Sequence, residues 1–213
     1  MKRTKISFVG EKPIFTGSPQ IVPGGFNLDR EKQRFSVGDI IPAGTLAIFD
    51  EVTRKVQIVK TAKVKAIGTK DKKVITLYSN GYCSPCFSVG DKLLQAKSVS
   101  GTFENAPSIV SIEKPGVSNA PYVITLSAEI SGLAVDDVLV VENSTNAAVI
   151  GEPNSLTIEE VTVKEFETAI DVTEDTMQYA VMERRVLPIP DSMKDSTKRY
   201  LKANSHIRLS QTY

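Results

Sequence analysis

The chain has 213 residues, enough for one sizeable core or two small ones. Its 26 basic and 25 acidic side chains leave a formal charge of +1, a field too weak to steer nucleic acid or an anionic membrane from a distance. No apolar run reaches the eighteen or so residues of a membrane span, and Met1-Lys2-Arg3-Thr4-Lys5 leads into no signal-peptide core. The reading is therefore a protein made in the cytoplasm, with neither a nucleic-acid nor a membrane partner.

Residues 1–34 mix charge with Gly and Pro and carry isolated apolar anchors, Phe26 and Leu28 among them. That composition reads as an extended N-terminal arm that orders on a partner. The body opens at residue 35, where the chain first writes a motif that it repeats: Phe35-Ser36-Val37-Gly38-Asp39, Phe87-Ser88-Val89-Gly90-Asp91, and the worn copy Leu133-Ala134-Val135-Asp136-Asp137. An apolar residue, a tight Gly/Asp turn and a fresh apolar strand is how a chain closes one β layer and opens the next. Val74-Ile75-Thr76-Leu77 likewise recurs as Val123-Ile124-Thr125-Leu126. Duplicated strand-turn-strand units of this kind bury their faces only by packing together.

Strand signals fill the body at Thr45 to Phe49, Val56 to Val59, Ala62 to Ile67, Val74 to Leu77, Leu93-Leu94, Ile109 to Ile112, Tyr122 to Leu126, Val138 to Val141, Ala148 to Ile150 and Leu156 to Phe166. Residues 68–73 read as a hairpin loop, and the lysines from Lys60 to Lys73 as the wet face of a strand. The fold class is all-β: small barrel or sandwich-like lobes, a first over residues 35–97 and a second, with its linker, over 98–168. In residues 169–213 the pattern reads as a short helix or strand, the helix over Asp175 to Arg185, stopped by Val186-Leu187-Pro188-Ile189-Pro190, and then a docking arm with a short strand at Ile207 and Leu209.

The chemistry-bearing residues are few. Cys83-Ser84-Pro85-Cys86 has redox spacing, but it runs into the second repeat and not into the helix that would lower a thiol pKa, so it reads as a reduced, packed pair. Two cysteines and the remote His206 make no four-ligand zinc set. Asp50-Glu51, Asp136-Asp137 and Glu159-Glu160 sit at strand ends, where turns carry charge, and the chain has no tryptophan to shape a sugar cleft. Ile41-Pro42-Ala43-Gly44-Thr45 lacks the lysine of a phosphate-binding loop. No catalytic residue, metal ligand or cofactor site is expected, and the chain is read as no enzyme.

The run from Phe35 to Ala47, followed by Asp50-Glu51 and Val56 to Lys65, resembles the opening of the head fibre proteins of tailed phages and prophages of Bacteroides-like bacteria. Val99 to Phe103, Ala106 to Ile109, Ile130 to Val140, Asp175 to Ala180 and Leu201 to Leu209 are similar to the same group, so the likeness spans about residues 35–213. A weaker echo links Ile41 to Leu46 with small capsid-decoration proteins. The resemblance implies a non-enzymatic virion protein on the outer capsid surface, homo-oligomeric with a trimer favoured, anchored non-covalently to the major capsid protein. The chain lacks the repetitive shaft, coiled-coil heptads and receptor-binding head of a long fibre. The anchors on the arms, Phe26, Leu28, Ile189, Tyr200, Leu201, Ile207, Leu209 and Tyr213, are the candidate interface, and removing residues 201–213 is expected to harm assembly more than folding. A tail or baseplate adaptor and a glycan-binding module, the latter using Tyr78 and Tyr82 on a host-surface sugar, are the alternative readings.

Overall fold

The computed structural model describes residues 13–17, 19–22, 25–80, 82–97, 106–114, 121–142, 151–173 and 178–211. Among these the regular structure is almost wholly β. The strands are β1 (Phe15–Thr16), β2 (Phe26–Leu28), β3 (Ile40–Ile41), β4 (Leu46–Asp50), β5 (Lys55–Ile58), β6 (Thr61–Ile67), β7 (Val74–Leu77) and β8 (Leu93–Gln95). They continue with β9 (Ile109–Glu113), β10 (Tyr122–Leu126), β11 (Val138–Val141), β12 (Ser155–Leu156), β13 (Val161–Thr162), β14 (Ala169–Ile170), β15 (Tyr179–Met182) and β16 (Ile207–Ser210). The all-β reading is correct, and the strands at β7, β10 and β11 run as the sequence pattern places them. The expected strand at Ala148 to Ile150 lies outside the described residues.

Six strands in the order β8-β11-β6-β7-β10-β9 form one antiparallel sheet that rolls until its edges meet. Lys92 bridges Ser108, and the Leu93 and Ile109 amides donate to Pro107 O and Asp91 O, each at 2.9 Å. The interior is filled by Ala62, Val64, Ile75, Leu77, Phe87, Leu93, Tyr122, Ile124 and Leu139. Five more strands, β12-β4-β5-β2-β14, curl in the same way, closed by the Thr157 to Val172 bridge around Phe26, Ile41, Val56, Ile58 and Ile170. Closing a small sheet on itself removes the unpaired edges that invite aggregation.

The lobes do not follow the expected boundaries. The six-stranded lobe takes residues 61–141, whereas the five-stranded one is assembled from 26–28, 46–58 and 155–170. The N-terminal segment reaches its place by parallel pairing of β2 with β5 and antiparallel pairing with β14.

A third layer covers both lobes. Here β15 pairs antiparallel with β1 and parallel with β16. Phe15, Tyr179, Val181, Ile189, Met193, Leu201, Ile207 and Leu209 pack on Leu46, Val59, Leu94, Val140 and Leu156 from the lobes. This explains the apolar doublets. Successive strand residues face opposite ways, so Leu93 points into the six-stranded interior and Leu94 into the third layer, as Leu139 and Val140 also do. Gly44 shows how close that layer comes: its φ is +74°, and a Cβ there would lie 2.4 Å from Val186 Cγ1. Gly44→Ala is therefore expected to cost more than ~1 kcal/mol, read as a lowered denaturation midpoint.

The helix reading over Asp175 to Arg185 is corrected. Where described, Tyr179–Met182 is a strand with Tyr179 and Val181 buried, followed by a single 3-10 turn at Glu183–Arg185. Partners on both sides, β1 and β16, decide the matter in favour of the β-prone Tyr and Val.

Candidate functional site

The three repeats fold into the same turn. Ser36, Ser88 and Ala134 donate their amides to Oδ2 of Asp39, Asp91 and Asp137 at 2.8, 2.8 and 2.7 Å. The aspartate amides return to the carbonyls of the same three residues at 3.0, 3.1 and 3.3 Å. The third turn position has φ of +89°, +88° and +72° at Gly38, Gly90 and Asp136, the positive value that a type II turn requires. Aspartate visits that region more readily than most residues, which accounts for the worn copy. Each turn then clips onto a strand or its extension: Gly38 N to Val163 O, Gly90 N to Ile109 O and Asp136 N to Val64 O, with reciprocal bonds from those residues to the turn's aspartate carbonyl. The repeated aspartates are turn staples, and the second turn residue, Val37, Val89 or Val135, is left facing solvent.

The first two turns adjoin, and between them lies an ion cluster. Lys60 Nζ is 2.8 Å from Asp91 Oδ2 and 3.0 Å from Ser88 Oγ, bonds the Arg34 carbonyl, and sits 3.9 Å from the Phe35 ring centroid. Ser88 Oγ also lies 3.2 Å from Asp39 Oδ2, while Lys114 reaches Asp39 Oδ1 at 2.9 Å. The side chains of Lys60 and Asp91 are only 1% and 2% exposed, whereas the lysines paired with Asp39 and Asp137 are more than half exposed. Lys60 thus departs from the expected wet face. It follows β5 and precedes β6, where the chain passes between lobes, and the other lysines of that run reach solvent. Burial pushes the Asp91 carboxyl above its ordinary value despite Lys60. At Asp39 burial acts in the same direction, but the Lys114 hydrogen bond and the Ser36 amide outweigh it and the result is lowered.

Cys83 and Cys86 are both free and buried, and burial raises their thiols to about 11 and about 12, the opposite of an activated thiolate. His206 is exposed; its amide donates to Asn204 Oδ1 and its carbonyl accepts the Tyr179 amide. Asp50 caps its own turn through the Val52 and Thr53 amides. Among the described residues no group of three or more His, Cys, Asp and Glu is placed to hold a metal, and no helix is long and apolar enough to cross a membrane.

The structure places six of the eight sequence-predicted interface residues inside the chain's own core. Phe26, Leu28, Ile189, Leu201, Ile207 and Leu209 are buried, Tyr200 is partly buried, and Tyr213 lies outside the described residues. Exposed apolar side chains stand elsewhere: Ile21, Val52 and Val135 on separate segments, and five on or next to the two adjoining turns. Val37 and Val89 are the turn tips, Ile40 begins β3, Val110 follows the residue that clips the second turn, and Phe166, 83% exposed, tops the loop after Val163. Arg30 holds that loop through the carbonyls of Lys164 and Glu165 at 3.1 and 2.8 Å. Sequence reasoning missed this group because its members share no pattern: Val37 and Val89 sit beside turn glycines, Ile40 and Val110 each adjoin a buried isoleucine, and Phe166 stands between two glutamates. Tyr78 and Tyr82 are half exposed, under Lys63 and Arg185 at 5.4 and 5.1 Å. No family model, curated protein or solved structure matches this chain.

Proposed function

We propose that this protein is a structural component of the outer surface of a phage capsid, a head-fibre base or decoration subunit held non-covalently on the major capsid protein. The observation that carries the reading is the group Val37, Ile40, Val89, Val110 and Phe166, five apolar side chains presented to solvent around two stapled turns. Exposed apolar side chains gathered on a rigid frame favour a protein contact. The near-zero net charge suits a partner found by shape and burial, and the resemblance over residues 35–213 supplies the partner's class.

Purified heads lacking the protein, incubated with it and then sedimented, provide the test. The double variant Val89→Ser, Phe166→Ser is expected to bind at least about tenfold more weakly, because central apolar anchors dominate such contacts. Its thermal unfolding should shift little, since exposed substitutions change stability by about 0.5 kcal/mol or less. Undiminished head occupancy by the variant would reject this surface, and binding of the wild type to isolated tails but not to heads would replace the capsid reading with the tail-adaptor one. Light scattering at several concentrations tests the trimer. The half-exposed Tyr78 and Tyr82 favour the glycan-binding module as a second reading, which requires saturable sugar binding lost on their substitution.

A further inference from the structure

The chain writes its Gly/Asp turn three times, and in only one copy does the aspartate face a dry lysine. Sister turns show that the staple itself needs no buried cation. Two opposite charges withdrawn from water are held at a desolvation cost that their attraction often fails to offset, and apolar replacements of such pairs are commonly as stable. Something other than turn formation therefore accounts for Lys60.

We propose that Lys60 and Asp91 condense into an intramolecular isopeptide bond. Nζ already rests 2.8 Å from Asp91 Oδ2, against the Phe35 ring and near Cys86, within a setting closed to water. Holding two reactants in contact in this way converts a slow bimolecular condensation into a unimolecular one. The path for the proton is also present. Lys60 donates to Ser88 Oγ at 3.0 Å, and Ser88 Oγ lies 2.9 Å from the Arg34 carbonyl and 3.2 Å from Asp39 Oδ2, so the hydroxyl, on turning from that carbonyl, links the ammonium to a second carboxylate on the solvent side.

The step balances without any other reagent. The ammonium gives up a proton through Ser88 toward Asp39, and the freed nitrogen pair attacks Cγ of Asp91. The N–C bond forms and one C–O bond breaks. The departing oxygen leaves as water with two hydrogens that came from nitrogen, the relayed proton returning to it. An ammonium and a carboxylate become one neutral amide and one water. The oxygen that stays on Cγ continues to accept the Ser88 amide, as its counterparts do at Asp39 and Asp137. Burial favours the neutral form of Asp91, the electrophilic one. The product would weld the link between the lobes to the strand that opens at β8, and it is independent of where on a virion the protein sits.

Intact mass spectrometry of the natively purified, full-length protein is the test. The expected result is a mass one water below that of the sequence, with a branched peptide after proteolysis that joins the segment holding Lys60 to the one holding Asp91. Lys60→Arg and Asp91→Ala should both return the full mass. In Asp39→Asn the bond should form at least about a hundredfold more slowly, the lower end of the usual contribution of a positioned acid or base. A full mass for the folded wild type after prolonged incubation would overturn the proposal. Loss of water with no branch at Lys60, as a succinimide elsewhere produces, would overturn it equally. An undiminished rate in Asp39→Asn would remove the relay.

Discussion

Replacing Asp91 by alanine is expected to destabilise the fold, measured against the wild type in which Lys60 and Asp91 are still an ion pair, by at least about 3–5 kcal/mol, the range seen when one member of a buried ion pair is removed. The three repeat turns supply the internal comparison. Asp39→Ala and Asp137→Ala remove the same staple from Ser36 and Ala134, but the lysines they release, Lys114 and Lys97, are already in water. Each should cost about 1–3 kcal/mol, the loss of charge-assisted hydrogen bonds without a stranded ion. Asp91→Ala instead leaves the Lys60 ammonium enclosed, facing the Arg34 carbonyl, the Ser88 hydroxyl and the Phe35 ring but no carboxylate partner of its own. Urea unfolding of the three variants checks the ranking, and equal losses would mean that the dry ion adds nothing to the turn.

The same groups set opposite pH signs. Asp39 and Asp137 have lowered carboxyls, so their contribution is present above the unfolded value of 3.8 and is lost as pH falls through the folded one. At Asp137 burial opposes the shift and the Ala134 amide and Lys97 outweigh it. In the chain before Lys60 and Asp91 condense, Asp91 is raised by burial, so its contribution is fully present below 3.8 and is lost as pH rises through its folded value.

Turn chemistry was the part of this fold most open to reading. Positive φ at Gly38 and Gly90 and a side chain able to accept the amide three residues back are local requirements, and the motif states both. Strands such as Val74–Leu77 and Tyr122–Leu126 were equally visible, since their alternation reflects one buried face. Which strands share a lobe was not visible. The pairing of β2 with β14 joins residues more than 140 apart, and nothing local to Phe26-Asn27-Leu28 announces it. Lys60 departs from the wet face because the alternation of residues 62–67 does not continue backward across the link between lobes. The surface around Phe166 is a product of tertiary clipping alone.

The terminal segments were read as arms because their apolar residues are sparse, yet sparseness in sequence did not mean exposure. Leu201, Ile207 and Leu209 each fill a site in the third layer, against residues of both lobes. Removal of residues 201–213 is therefore expected to compromise folding itself, in place of the assembly defect anticipated from composition. It strips β16 from β15 and uncovers Leu46, Leu94 and Val140 along with the inner face of the terminal sheet. Single truncations give the scale: Leu201→Ala or Ile207→Ala should each cost about 2–5 kcal/mol by loss of burial and the cavity left behind. With total domain stabilities of about 5–15 kcal/mol, losing all three anchors leaves little or no net stability. Circular dichroism melts and solubility of the truncated chain measure this directly. A cooperative transition near the wild-type midpoint would mean that the two lobes stand without their cover, and that the C-terminal strand is free to serve a neighbouring subunit instead.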